Sequence, residues 1–172
     1  MDKTYLKTAE EFKKALPNLD LGTPLLIDFD ETLYLRNSTE DYLRSIRPRF
    51  LAVPLLLFLR LLAPWNWMPK GIRGERSKDG IRTVSATILF PWTLPLWLFR
   101  SRRLAHQLVN RDLIHILEGA SHLKRYVVTN GFRWIIGPVL KYMPLSHDGL
   151  TAIRFFSGLK DVRLKKEERI RN

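Results

Sequence analysis

Leu25-Leu-Ile-Asp28-Phe-Asp30-Glu-Thr32-Leu-Tyr-Leu35 decides the fold: three apolar residues run into two aspartates separated by one phenylalanine, and a threonine follows two positions later. Pro24 to Phe29 is a short apolar run preceded by the turn residues LDLGTP, the pattern of a strand buried on both faces in a parallel sheet. Carboxylates at the C-terminal end of such a strand stand where open α/β sheets hold their ligands. A structural role, capping the next helix and closing a turn, competes with that reading. If the backbone stays extended, Asp28 and Asp30 point to the same side.

Working outward, Arg125-Tyr-Val-Val-Thr129-Asn130-Gly131 reads as a second buried strand stopping in a polar turn, and Leu150 to Ser157 as a third. Helical patterns separate the strands. Thr8-Ala-Glu-Glu11 is a capping box ahead of a short helix ending near Pro17. Asn37-Ser-Thr-Glu-Asp opens a helix with a Ser/Thr cap and acidic residues in its first turn, and Asn110-Arg-Asp precedes another that ends near Gly119. Phe132 to Met143 is helical with a kink or restart at Gly137-Pro138, and Lys165 to Ile170 begins a further helix. The alternation predicts an α/β fold with a parallel sheet.

Two polar strand ends, Asp28 with Asp30 and Thr129-Asn130-Gly131, share one crevice if the strands are parallel neighbours. An ionised carboxylate there can attack phosphorus, while a second protonates the leaving oxygen and later activates water. Two carboxylates facing a phosphate repel it, so the chemistry requires a divalent cation, and hard oxygen ligands favour Mg²⁺. The Thr129 hydroxyl and the amides of Asn130 and Gly131 supply donors to the phosphoryl oxygens. A lysine is expected to complete the charge balance.

Asp28-Phe-Asp-Glu-Thr32-Leu resembles the first motif of the haloacid dehalogenase (HAD) superfamily, and Val127-Val-Thr129-Asn-Gly resembles its second. The resemblance implies a Rossmann-like three-layer parallel sheet with an α-helical cap inserted after the first strand. Residues 1–36 and 112–172 would form the core and 37–111 the cap. By the same resemblance Asp28 is the nucleophile, Asp30 the general acid/base and Thr129 the phosphate ligand. The Asp28 carboxylate and the Asp30 carbonyl would hold the metal. In DVRLKKEERI the family's motif lysine matches Lys166, ahead of Lys165. The fourth, acidic motif is expected beyond Asn172, so the chain is read as incomplete at its C-terminus. Phosphatase and phosphomutase share the nucleophile; the dehalogenase lacks the second aspartate. The expected function is Mg²⁺-dependent hydrolysis of a phosphorylated small molecule or lipid-linked phosphate, with a non-catalytic membrane-binding module on a degenerate HAD fold as the alternative. A looser likeness joins the insert to the HAD-like segment fused to membrane prenyltransferases.

Composition narrows the partners. The 172 residues suffice for one domain with an insertion, and a net charge of +12 draws the chain toward nucleic acid, phosphorylated metabolites or anionic lipid. No nucleic-acid reading motif is present, and the aromatics sit in apolar runs, so nucleic acid is not expected. The absence of cysteine excludes disulfides, zinc-thiolate sites and thiol nucleophiles. His106, His115, His122 and His147 lack metal-site spacing, and no glycine-rich phosphate loop occurs. The charged N-terminus is not a secretory signal, which places the expected site in the cytoplasm, or peripherally on the inner face of the membrane. Phe50 to Pro69 and Thr83 to Phe99 are strongly apolar, flanked by Lys and Arg, with tryptophans near their ends and the polar loop KGIRGERSKDGIR between them. That pattern leaves three readings open: an anionic membrane surface contact, a cap packed on itself, or a transmembrane hairpin.

Overall fold

The computed structural model describes residues 9–20, 22–67 and 75–154. Three strands, β1 (Leu25–Ile27), β2 (Arg125–Phe132) and β3 (Gly149–Ile153), form a parallel sheet in the order β1-β2-β3. Helices fill both crossovers, so the chain is α/β. β1 departs from the expectation of burial on both faces. Ile27 is buried, but Leu26 on the opposite face stays 48% exposed, on a strand that, like β3, lies at an edge of the sheet among the described residues.

Local chemistry explains most helix limits. α1 (Ala9–Ala15) passes into a 3₁₀ turn at Leu16–Asn18, where Pro17 interrupts it. α2 (Ser38–Leu43) is capped by the Asn37 side chain, which accepts from the Glu40 amide at 3.0 Å; the expected Ser/Thr cap lies one position inside. α3 (Arg49–Leu62) stops where Ala63 takes a left-handed φ of 43°. α4 (Glu75–Leu89) and α5 (Thr93–Leu108) follow. Asn110 caps α6 (Arg111–Glu118), and the helix expected over Phe132 to Met143 with a kink or restart is α7 (Arg133–Leu140), one helix with Pro138 inside it. The expected helix at Lys165 to Ile170 lies outside the described residues.

The insert is partitioned differently from its hydropathy. α4 begins inside the stretch expected to be a polar loop, and the apolar run Thr83 to Phe99 is divided between α4 and α5 at a corner near Pro91. Distant contacts fix α4 in place. Arg82 pairs with Glu40 at 2.8 Å, and the buried Thr87 hydroxyl meets the Tyr42 hydroxyl at 2.8 Å.

One hydrophobic core joins the insert to the sheet. Ile27, Val127 and Phe132 pack with Ile135, Ile136 and Val139 of α7, and with Tyr42, Ala86, Trp97 and Ala105 from the insert. Trp97 is fully buried, donates its indole N–H to the Ile135 carbonyl at 2.9 Å, and meets Tyr42 edge-on. The insert leaves and rejoins at one neck. The Leu35 amide donates to the Leu108 carbonyl at 2.8 Å, and the Asn110 amide to the Leu33 carbonyl at 2.9 Å.

Candidate active site

Parallel pairing of Ile27 with Val127 brings the residues that follow, Asp28 and Thr129, to the same edge of the sheet. Beyond Asp28 the backbone does not stay extended. The Phe29 carbonyl accepts from the amides of Leu33 (3.0 Å) and Tyr34 (2.9 Å), so the chain doubles back in a tight turn. Glu31, beside Asp30, sits at φ 60°, a conformation that costs a side-chain-bearing residue energy and persists only where its surroundings hold it.

This turn gives the two carboxylates different environments. Asp28 is exposed, and its Oδ1 accepts from the Phe29 amide at 3.0 Å. Asp30 is half-buried: Oδ1 accepts from the Ser38 amide at 2.7 Å, and Oδ2 receives the Thr129 hydroxyl at 3.4 Å. Burial raises the Asp30 carboxyl above the ordinary carboxylate range and the nearby Asp28 charge adds to this, while hydrogen bonds from Ser38 and Thr129 oppose it. Two carboxyls held in unlike surroundings suit unlike tasks, the exposed one attack and the half-buried one, raised by its burial, proton donation.

The phosphate-binding candidates are placed unevenly. Thr129 is buried; besides donating to Asp30, its Oγ1 accepts from the Gly131 amide at 3.0 Å. The Gly131 amide is therefore turned onto Thr129; β2 does not stop in the expected polar turn but runs on to Phe132, with its register against β3 shifted between Val128 and Phe132. Asn130 is exposed between them. Gly131 answers a packing requirement: a Cβ there would collide with Ile136 Cδ1 and lie 3.2 Å from Asp30 Oδ2. Lys166, like Lys165, lies outside the described residues.

Ser38 is the contact that sequence reasoning missed. Its signal was the Asn37 cap, which puts Ser38 in the first helical turn, where amides lack intrahelical partners. Nearby, Asp41 accepts from Arg36 and from the Tyr34 hydroxyl, each at 2.7 Å. Burial, then the bond to Asp41, push the Tyr34 phenol far above its ordinary value, so it remains a neutral donor that braces the turn. Asp148 stands at the other end of the sheet, where its Oδ2 accepts from the Arg125 amide at 2.7 Å.

Among the described residues no group of three or more His, Cys, Asp or Glu converges as a metal cage. The Asp28 carboxylate and the Asp30 carbonyl are oxygen donors that suit Mg²⁺, which takes one or two carboxylates and completes its shell with water and substrate phosphate. No family model matches the chain, and no curated protein or solved structure matches it either.

Proposed function

We propose that the chain is a HAD-type phosphohydrolase, with a Rossmann-like core and residues 37–111 as the cap, which hydrolyses a phosphomonoester through an aspartyl-phosphate intermediate. One observation carries the reading: beside an exposed Asp28, a half-buried Asp30 with a raised pKa accepts from Thr129, just beyond the point where the pairing of β1 with β2 stops. The raised value keeps Asp30 protonated to higher pH than an ordinary aspartate, as donation to a leaving oxygen requires.

In the first step an Asp28 carboxylate oxygen attacks phosphorus. The bond between phosphorus and the ester oxygen breaks, and Asp30 delivers its proton to the departing alkoxide. Asp30 is then a base; it takes a proton from water as the water oxygen attacks the phosphoaspartate. Inorganic phosphate leaves and both carboxyls return to their starting states. Mg²⁺ held by the Asp28 carboxylate and the Asp30 carbonyl would offset the repulsion between phosphate and carboxylate. Thr129 keeps Asp30 aimed, and Ser38 fixes its other oxygen.

The test is phosphate release from an aryl phosphate with and without Mg²⁺, in wild type and Asp28→Asn. Activity that depends on Mg²⁺ and is lost in the variant supports the reading. Equal turnover in the two proteins overturns it.

A further inference from the structure

We propose that the outer face of the insert lies on the surface of an anionic lipid bilayer. The inference rests on the outside of residues 37–111 alone and holds whether or not the aspartates hydrolyse phosphate.

The face is apolar where a solvated helix is polar. α3 turns Ala52, Leu55 and Leu56 toward the core, and its remaining surface exposes Phe50, Leu51, Val53, Leu57, Phe58 and Leu61. Phe50 is 74% exposed and Leu61 84%. Isolated exposed leucines are ordinary in soluble proteins, but a contiguous apolar helix face marks a contact surface. The face extends beyond α3. The Trp92 indole N–H donates to the Arg47 carbonyl at 2.6 Å, which joins the α4–α5 corner, with exposed Ile88, Leu89 and Trp92, to the start of α3. Phe99 of α5 is 86% exposed.

Charge selects the occupant. Residues 37–111 carry thirteen Lys and Arg against four Asp and Glu, nine of the chain's twelve net positive charges. α3 and α5 contain no acidic residue, and Arg49, Arg60, Arg100 and Arg103 are exposed on them. A groove of about 380 Å³ between α3 and α4 sets Arg60 and Lys78 beside Val53, Leu57 and Trp65, while the Glu40 carboxylate that also lines it is paired with Arg82. Apolar side chains for acyl chains, cations for phosphate headgroups and tryptophan at the boundary are the elements of an interfacial anchor. A second copy of the chain would bring the same cations against one another, which disfavours self-association through this face.

Geometry selects lying over spanning. Arg49–Trp67 is long and apolar enough to cross a membrane by length and composition. The left-handed Ala63 breaks it, however, and α3 alone, 14 residues, reaches about 21 Å against a hydrocarbon core of about 30 Å. One flank of α3 is also packed on the protein core, and a spanning helix would have to leave it.

The test is co-sedimentation of the full chain with phosphatidylcholine vesicles, with and without phosphatidylserine, at low and high salt. Binding is expected on phosphatidylserine vesicles, weakened by salt, and reduced at least about tenfold in Phe58→Asp/Leu61→Asp. Both substituted side chains are exposed, and unchanged circular dichroism confirms that the variant folds. Arg49→Gln/Arg60→Gln/Arg103→Gln is expected to lower binding to the anionic vesicles and flatten its salt dependence. A wild type that stays in the supernatant overturns the proposal, as does binding unaffected by either variant. Retention in the bilayer after alkaline carbonate extraction points to a span and overturns it too. A dimer that Phe58→Asp/Leu61→Asp dissociates, without vesicle binding, assigns the face to a second copy instead.

Discussion

Burial that raises the Asp30 carboxyl also sets how its charge enters stability. The folded value lies above the ordinary 3.8. Over the interval between them the native chain holds a proton that the unfolded chain has released, so stability declines as pH rises through that interval and is level above it. Asparagine cannot ionise, yet its carbonyl can accept from Ser38 and its amide can donate to Thr129 Oγ1. Asp30→Asn is therefore expected to be more stable than wild type at pH 7, with the difference vanishing below the ordinary value, while turnover falls at least about 100-fold. Urea denaturation across pH checks the first part; a difference that does not vary with pH would show that burial of this charge is not the cause. Gly131 makes a second point at this scale. Ile136 is fully buried, so Gly131→Ala forces its Cδ1 aside and is expected to cost about 1–3 kcal/mol. Ile136→Val removes the colliding methyl, and the double variant should recover much of the loss in the same denaturation assay. That Asp28 and Thr129 stand on neighbouring parallel strands was legible in the sequence, because each adjoins a short apolar run; the turn that holds Asp30 was not. The direction of the Gly131 amide was not legible either, because it depends on the irregularity of β2 between Val128 and Phe132.

At the scale of elements, legibility followed whether an element is specified locally. The cap at Asn110, the end of α6 at Gly119 and the strand cores were readable, since caps and short apolar runs act over a few residues. The start of α4 was not: its sequence there is polar, and the helix is tied at its middle, through Arg82, to Glu40, about forty positions away. Asn110 shows how a local cap gains a tertiary task. Its Oδ1 accepts from the Leu113 amide at 3.1 Å, and its Nδ2 donates to the Thr32 carbonyl at 3.0 Å, tying the start of α6 to the Asp30 turn. Asn110→Ala removes both bonds and is expected to cost about 1–2 kcal/mol. Asn110→Asp keeps the cap and loses only the donor. If the tie to Thr32 steadies the turn, Asn110→Asp lowers kcat while retaining more thermal stability than Asn110→Ala. Equal kcat in Asn110→Asp and wild type would confine the residue to capping.

At the scale of the whole molecule, a long stretch between two strands was legible in the sequence, but the relation of its helices to the core was not. Hydropathy marks which residues avoid water and leaves open what covers them, so Trp97, inside the molecule, and Phe99, two positions on and outside it, belong to the same apolar run. The shared core has a thermodynamic consequence. An insert with a core of its own would unfold separately from the sheet, whereas here Trp97 fills space between α5 and α7 and caps the Ile135 carbonyl. Trp97→Ala leaves a cavity and removes the indole hydrogen bond to the Ile135 carbonyl, with an expected cost of about 3–5 kcal/mol. Because the tryptophan belongs to the insert and the carbonyl it bonds to α7, outside the insert, the loss should fall on a single transition. Calorimetry should give one endotherm in wild type and one, at lower temperature, in the variant, with calorimetric and van't Hoff enthalpies in agreement. Far-ultraviolet circular dichroism and near-ultraviolet aromatic signals should share its midpoint. Two endotherms in wild type, with only one shifted by Trp97→Ala, would instead mean that the insert folds as a unit of its own and that the contacts of Trp97 with α7 contribute little to cohesion.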